Sequence, residues 1–372
     1  MTDAPNTQSR KAFRELLDAL AEVDERYIGP EYNVTERDDA DGHRFLMHLL
    51  ETSLTLQFEA NPDHPQFTKW ITPRRKILGD NPDAIYYDAP VNPRRTYRVR
   101  GNIAGAVYTS VTVEAGATDG GYSTRTAGVI NDTGFDIAPD GSYEIILGGP
   151  AQDRNWLELP EDAGHISTRH YFELAEPVAA DPFRVVPVTI EDIDASGPPP
   201  PPTDESVAAG IRRVTSFLRG NTLDRPPRSS QTLPSFISTT PNVFPTPAVP
   251  GDLGLAAFDA AYSATTYVLG PDEALVITGR WPECRFGNVT LWTRFLQTYD
   301  YANRHVGRNR ANTVLEPDGS FRIVLAHADP GLPNWLDTEG RPTGQVFWRF
   351  FLPEGELVAP EATVVKLADV RA

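Results

Sequence analysis

Apolar residues recur every three or four positions in two segments near the start of the chain, residues 9–27 and 41–58. This spacing places them on one stripe of a helix, as in an amphipathic helix packed on a core. A third segment of this kind follows Thr203, a residue type that caps helix N-termini. The pattern predicts two N-terminal helices and one helix near the middle of the chain.

Most of the remaining chain has the shorter period of β-strands. Runs such as residues 107–113 and 142–147 are rich in β-branched and aromatic residues and are bounded by Gly, Pro, Asn or Asp. Strands separated by such turns, without alternating helices, are typical of antiparallel sheets. The fold class is therefore predicted to be mainly β.

One β-rich module occurs twice, because residues 93–141 recur at 271–319 with a constant offset of 178 residues. The turn Pro139-Asp-Gly-Ser returns as Pro317-Asp-Gly-Ser. After one inserted residue, Asn155-Trp-Leu-Glu returns as Asn334-Trp-Leu-Asp. Such an internal duplication indicates two copies of one structural unit. We predict two related antiparallel β-sandwich or jelly-roll lobes with the same strand order.

Five consecutive prolines at positions 198–202 mark the boundary between the two copies. Proline enters neither a helix interior nor a central strand, so this run predicts a stiff spacer. The predicted organisation is a helical N-terminal segment (1–65), a first lobe (66–194), a Pro-rich linker with one helix (195–250) and a second lobe (251–372).

The composition is acidic, with 51 Asp and Glu against 34 Lys and Arg and a formal net charge of −17. Such a surface repels nucleic acid and anionic membranes, so neither is an expected partner. No apolar run approaches the length of a membrane span. The single cysteine, Cys284, excludes an internal disulfide and suits a reducing compartment, so a cytoplasmic location is expected. Homo-oligomerisation stays open.

Several chemistries are disfavoured because their motifs are missing from the sequence. It contains no Gly-x-Gly-x-x-Gly, no phosphate-binding loop of the Walker type and no Gly-x-Ser-x-Gly elbow. The histidines are scattered, and His165 and His170 would lie on opposite faces of a strand. We therefore expect neither a metal nor a cofactor.

The C-terminal part of the chain resembles a known family. The run Pro333-Asn-Trp-Leu-Asp-Thr-Glu-Gly-Arg-Pro-Thr-Gly-Gln-Val-Phe-Trp-Arg-Phe, with the preceding Pro317-Asp-Gly-Ser turn, resembles the domain-of-unknown-function family 1214. The resemblance covers about the last 110 residues well and the earlier half more loosely. It implies a jelly-roll-like β fold and brings no activity or catalytic residue. Arg341 stands where similar sequences have His.

The doubled Asn-Trp-Leu-acid element is the main candidate site, because it combines a ring, an amide and a carboxylate suited to a polyhydroxylated ligand. Paired carboxylates on either side of a scissile bond are the apparatus of glycoside cleavage. The candidate catalytic residues are Asp337, Arg349, Glu158 and His170, with Arg349 and His170 at matching positions. The candidate substrate-binding residues are Trp335, Asn334, Trp156, Trp281 and Tyr301.

Two functions from different classes follow from these residues. The first is an enzyme, a hydrolase or lyase, that acts on a hydroxylated or glycosidic small molecule or glycan in a cleft near Asn334-Trp-Leu-Asp. The second is a non-catalytic carbohydrate- or ligand-binding protein. A loop through Gly344 would bring Arg349 beside Asp337, so the second copy is expected to carry the function. Alternatively, the tryptophans are core residues and the asparagines only shape turns.

Overall fold

A computed structural model describes residues 6–29, 35–116, 119–121, 123–195, 197–226, 230, 232–251 and 254–370. Its α-helices are α1 (Gln8–Glu22), α2 (Glu36–Ser53) and α3 (Asp204–Gly220), and α1 and α2 continue as π-helical turns at Val23–Tyr27 and Leu54–Phe58. The Thr203 hydroxyl accepts the Ser206 backbone N–H at 3.1 Å, so the predicted N-cap of α3 is confirmed. No helix of the described residues is long and apolar enough to cross a membrane.

The first lobe is a sandwich of two sheets. Its strands are β1 (Thr68–Lys69), β2 (Ala84–Pro90), β3 (Tyr97–Asn102), β4 (Tyr108–Ala115), β5 (Arg125–Asn131), β6 (Ser142–Leu147), β7 (Trp156–Leu157), β8 (Ala163–Tyr171) and β9 (Val188–Asp192). One sheet has the order β1-β2-β8-β4-β5 and the other β7-β6-β3-β9. The chain crosses repeatedly between the sheets, as in a jelly roll.

The second lobe repeats this arrangement. Its strands are β10 (Ala260–Val268), β11 (Glu273–Gly279), β12 (Phe286–Trp292), β13 (Gly307–Asn309), β14 (Phe321–Ala326), β15 (Trp335–Asp337), β16 (Thr343–Phe351) and β17 (Glu361–Lys366). The sheet orders are β10-β16-β12-β13 and β15-β14-β11-β17. Apart from the short β1, every strand has a counterpart in the same place, so the predicted duplication of one β-sandwich is confirmed.

Each lobe has its own hydrophobic core between its sheets, and a further cluster joins the lobes to the helices. Residues such as Val111 and Ile145 fill the first core, and Val289 and Ile323 fill the second. The joining cluster combines residues of α1, α2 and α3 with aromatic residues of both inner sheets. The helices therefore cover the junction, where an open sheet face would otherwise meet water.

The lobes meet through contacts that repeat under exchange of the two copies. Tyr108 packs on Phe351 with ring centroids 4.5 Å apart, and the equivalent pair, Phe286 and Tyr171, is 4.7 Å apart. Such reciprocal contacts are what a twofold relation between two copies produces. The inner sheets, β2-β8-β4 and β10-β16-β12, are thus the surfaces on which the two copies can be compared directly.

The segment before the first strand of each inner sheet reaches across to the other lobe. We call residues 76–83 the first strap and residues 254–259 the second strap. Asp83 accepts a hydrogen bond from Asn309 at 3.0 Å, and Asp259 accepts one from Asn131 at 2.6 Å. The two bonds are equivalent, so each lobe's strap covers the inner face of the other lobe.

Candidate functional site

The doubled Asn-Trp element has the same structural role in both lobes. The indole Nε1 of Trp156 donates to the Gly148 carbonyl at 2.9 Å, and that of Trp335 donates to the Ala326 carbonyl at 3.1 Å. Asn334 donates to two backbone carbonyls and accepts a backbone N–H, so its amide shapes a turn. Both elements thus anchor a short strand parallel to β6 or β14.

The structure separates Asp337 from Arg349, contrary to the expectation that a loop through Gly344 brings them together. Asp337 accepts a hydrogen bond from Arg304 at 2.6 Å and one from the Glu339 backbone N–H at 2.7 Å. Arg349 lies on the inner sheet, where it donates to the Gly79 carbonyl and stacks on Trp292. β15 and β16 belong to different sheets, which explains the separation.

The matching of His170 with Arg349 is wrong by one residue. Ser110 pairs with Arg169 across β4 and β8, and its counterpart Asn288 pairs with Arg349 across β12 and β16, so Arg169 is the equivalent residue. His170 points into the first lobe and is fully buried, which lowers its pKa to about 3 and keeps it neutral. A one-residue shift in a strand exchanges its two faces.

The other proposed residues do not converge on one cleft. Glu158 is exposed at the outer edge of the first lobe. Trp281 packs against Phe321 and Trp348 beside the second core. Tyr301 is buried beneath the Lys76 ammonium, which lies 4.0 Å from the centre of its ring. Like the Asn-Trp elements, Trp281 and Tyr301 stabilise packing in the positions where they lie.

The inner faces of the two lobes differ sharply in chemistry. Ala84, Tyr171 and Tyr108 are cross-strand neighbours in the first sheet, as are Ala260, Phe351 and Phe286 in the second. Matching these two sets of neighbours determines which residues correspond along the rest of the strands. Arg169 is matched by Arg349, but Asp88, His165 and Glu114 of the first face are matched by Ala264, Gln345 and Trp292 of the second. At these matched strand positions the first face therefore carries a buried carboxylate–imidazole pair and a second carboxylate that the second face lacks.

Asp88 and His165 form a buried pair at the centre of this difference. His165 Nδ1 lies 2.9 Å from Asp88 Oδ1, and the side chains are 10% and 9% exposed. Burial alone would lower the pKa of His165, but the Asp88 carboxylate, its hydrogen bond and the Glu114 charge outweigh it and raise the pKa. The imidazole is thereby favoured in its protonated form, oriented by a carboxylate.

Both residues line a cavity of about 20 Å³ beneath the helices. Its lining combines these two residues with mainly apolar side chains of α3, the π-helical turn after α2, and the second strap: Leu56, Gln57, Trp70, Leu78, Asp88, Gly121, Ser123, His165, Phe217 and Leu255. Trp70 is 8% exposed, and its indole N–H has no hydrogen-bond partner among the described residues. Nε2 of His165 likewise makes no hydrogen bond within that part of the chain.

Glu114 and Arg169 lie next to this pair on the same sheet face. Arg169 Nη2 is 3.3 Å from Glu114 Oε1, and the Ser167 hydroxyl donates to the same carboxylate at 3.0 Å. Glu114 is fully buried, and this burial raises its pKa although Arg169 opposes the shift. Since an ion pair of this kind is costly to bury, it needs all its hydrogen-bond partners to persist.

The geometry of this face suits hydrogen bonding and proton transfer. Within the described ranges, no group of three or more His, Cys, Asp or Glu side chains is placed to hold a metal ion. A carboxylate that fixes the imidazole through Nδ1 at a cavity wall, while Nε2 bonds no described residue, is an arrangement suited to a general acid or base. The indole N–H of Trp70 adds a second donor, and Asp88 adds an acceptor.

Sequence reasoning missed this site although a signal was present. It placed His165 and His170 on opposite strand faces, which the structure confirms. The residues that alternate with the core positions of β8 are His165, Ser167 and Arg169, an unusually polar row for a buried strand. These polar residues could have predicted a functional face on β8. Their partner Asp88 could not be predicted in the same way, because it lies on β2, a strand distant in sequence.

These observations define a two-lobed β-sandwich protein with an acid–base pair in the helix-covered cavity of the first lobe. Residues 271–355 match the model of the family described as "Protein of unknown function (DUF1214)", which confirms the resemblance found in the second lobe. No curated protein matches the chain.

Two solved structures are similar to this chain. An uncharacterized protein from Burkholderia cenocepacia is 27% identical, covers 97% of this chain and 98% of its own, and has a TM-score of 0.82. The VPA0106 protein from Vibrio parahaemolyticus is 13% identical, covers 87% of this chain and 98% of its own, and has a TM-score of 0.48. The first similarity shows that the two-lobed fold is shared along its full length.

Proposed function

We propose that the protein acts on a small hydroxylated molecule held in the first-lobe cavity, with Asp88 and His165 as its acid–base pair. The observation that supports this is the 2.9 Å contact between Asp88 and His165 Nδ1 at the cavity wall, which orients the imidazole while Nε2 makes no hydrogen bond with described residues. A hydroxyl group both donates and accepts, so it can pair with Asp88 and with the Trp70 N–H.

Ligand binding without turnover is the second candidate, and the cavity lining favours it. Most side chains around the cavity are apolar, as in small-molecule sites where a few polar groups fix orientation. The two candidates share one site and differ only in whether a proton moves. Both replace the cleft near Asp337 as the place where a ligand would bind.

The test is a thermal-shift screen of small alcohols, diols and sugars, followed by assays for their chemical conversion. A ligand that binds only the folded state raises stability, by about 2.7 kcal/mol at a concentration of 100 times its Kd. The informative variant is Asp88→Ala combined with His165→Gln. It removes both members of the pair together, so neither charge is left buried without its partner. The new residues are those that the second lobe carries at positions 264 and 345.

We expect hits with the wild type that disappear in this double variant and persist in Asp337→Asn. Conversion of a hit would establish the enzyme, and binding without conversion would establish the second candidate. A hit that survives the double variant and disappears in Asp337→Asn would reject the first-lobe site. It would return the function to the element around residues 334–337.

A further inference from the structure

The second strap is the wall of the cavity that reaches it from the other lobe. Leu255 lines the cavity together with Ser123 and the acid–base pair. A cavity of about 20 Å³ exceeds only slightly the ~10–15 Å³ needed for one water molecule. A hydroxylated organic molecule therefore needs one wall to move before it can reach His165.

Most of the other walls belong to helices and strands, whereas Gly121 and Ser123 lie in the connection between β4 and β5. Asp88 and His165 belong to strands in the middle of a sheet, and Phe217 belongs to a helix packed in the joining cluster. The second strap is an irregular segment, held by polar contacts to its backbone and by packing of Leu255 and Ala257 on the joining cluster. Segments outside regular helices and strands are among those that open locally at low free-energy cost.

Glu114 and Arg169 hold the second strap through hydrogen bonds to the Leu255 backbone, and we call these bonds the grip. The Leu255 backbone N–H donates to Glu114 at 3.1 Å, and Arg169 donates to the Leu255 carbonyl at 3.0 Å. The Thr126 hydroxyl adds a bond of 3.3 Å to the Ala256 carbonyl. Further along, Tyr108 and Asn131 hold Asp259, each at 2.6 Å, so the strap is anchored at that end.

The closed position also carries backbone strain. Leu255 has a φ of +62°, a left-handed conformation that is unfavourable for a residue with a branched side chain. The equivalent position in the first strap is Gly79, where a φ of +73° has no such cost. The hydrogen bonds from Glu114 and Arg169 therefore hold the second strap with local strain at Leu255, whereas the first strap carries such strain one position earlier, at Leu78, with a φ of +56°.

We propose that residues 254–257 form the entrance of the first-lobe cavity, and that the grip of Glu114 and Arg169 on Leu255 keeps it closed. This inference rests on the proposed function of the cavity but concerns access alone. Glu114 and Arg169 are accordingly positioning residues: they hold the wall, whereas Asp88 and His165 face the ligand. The duplication contributes directly to the site, because the second strap, which belongs to the second lobe, forms the movable wall of the first-lobe cavity.

The test measures access to His165 without a ligand, by diethyl pyrocarbonate modification of the full chain and mass spectrometry of each histidine. Two variants weaken the grip at different atoms: Glu114→Gln affects the bond from the Leu255 backbone N–H, and Thr126→Val removes the bonds from the Thr126 hydroxyl to the Ala256 carbonyl and to Glu114. Two histidines act as internal controls: the side chain of His43 is 49% exposed, and His170 is fully buried in the first lobe. The reaction is run at a pH at which imidazole is neutral.

In the wild type we expect His165 to react far more slowly than His43. Each variant should raise the rate at His165 about five-fold, the effect of losing one hydrogen bond, and leave His170 protected. Equal reactivity of His165 and His43 in the wild type would show an open cavity and overturn the proposal. So would unchanged rates at His165 in both variants, or a parallel increase at His170, which would indicate global opening.

This result is separable from the proposed function. A closed entrance that opens in the variants can be observed even if no screened alcohol binds. Conversely, a ligand that depends on Asp88 and His165 while His165 is freely reactive in the wild type would support the function and reject the entrance.

Discussion

The inner faces of the two lobes are built on equivalent strands in the same register, yet the Asp88–His165 pair of the first face has no counterpart at the matched strand positions of the second. Asp88, His165 and Glu114 of the first face are replaced by Ala264, Gln345 and Trp292 in the second. The second face packs rings, with Trp292 and Phe347 4.3 Å apart. The strand residues of the second face thus stabilise the junction by ring packing, and its buried carboxylates, Asp80 and Asp83, come from the first strap.

The arginine shared by the two faces has a different role in each. Arg169 balances the buried Glu114, whereas Arg349 donates to a backbone carbonyl and stacks on aromatic rings. The same residue type at equivalent positions therefore forms an ion pair in one lobe and a cation–π contact in the other. Among the predictions below, we therefore expect the largest effect on stability when Arg169 is replaced.

Replacing Arg169 with Met should destabilise the protein by about 3–5 kcal/mol, because it leaves the Glu114 carboxylate buried without its partner. Arg349→Met should cost less, since its direct contacts are the Gly79 carbonyl and the faces of rings, and the buried Asp80 and Asp83 that it attracts keep other hydrogen-bond partners. Urea unfolding of both variants measures the difference. Equal losses would mean that the two faces are electrostatically alike.

Replacing either doubled tryptophan with Phe should cost about 1–2 kcal/mol, because a buried carbonyl loses its indole donor. Trp156→Phe and Trp335→Phe should do so to similar extents, and neither should affect a ligand of the first-lobe cavity. A loss of binding in Trp335→Phe alone would restore the second element as a functional site.

Asp337→Asn should cost no more than about 1 kcal/mol, because an amide oxygen can still accept the Glu339 N–H and the half-exposed Arg304 stays in contact with water. Glu158→Gln, at the exposed counterpart, should have no measurable effect on the melting temperature. A loss of several kcal/mol in the unfolding free energy of Asp337→Asn would show that the hydrogen bonds of Asp337 contribute more than their geometry indicates.

The pH dependence should reveal the charge of His165. Its pKa is raised above the ordinary value of 6.5, so its contribution to stability is complete below that pH and disappears as pH rises through the folded-state pKa. The groups that set this pKa are Asp88, Glu114 and Arg213.

The difference in unfolding free energy between wild type and His165→Gln should therefore shrink as the pH rises above about 6.5. Denaturant titrations over the neutral range measure it. A difference that grows with pH would mean that the imidazole is neutral in the fold.

The sequence was sufficient to predict the duplication, the mainly β lobes and the helix capped by Thr203. These features depend on local periodicity and on turns such as Pro139-Asp-Gly-Ser, whose physics lies within a few residues. The candidate site was harder, because Asp88 and His165 meet only when β2 and β8 pair. The one-residue offset between the copies near Arg169 also made His170 look equivalent to Arg349.

The site's location can be tested most directly by NMR of histidine ring nitrogens, titrated with the screening hits. His165 reports on the first-lobe cavity, and His305 reports on the second element, because its carbonyl accepts the Asp337 backbone N–H at 2.7 Å. We predict that a ligand shifts the His165 Nε2 signal and leaves His305 and His170 unchanged. A ligand that shifts His305 and leaves His165 unchanged would contradict the first-lobe site.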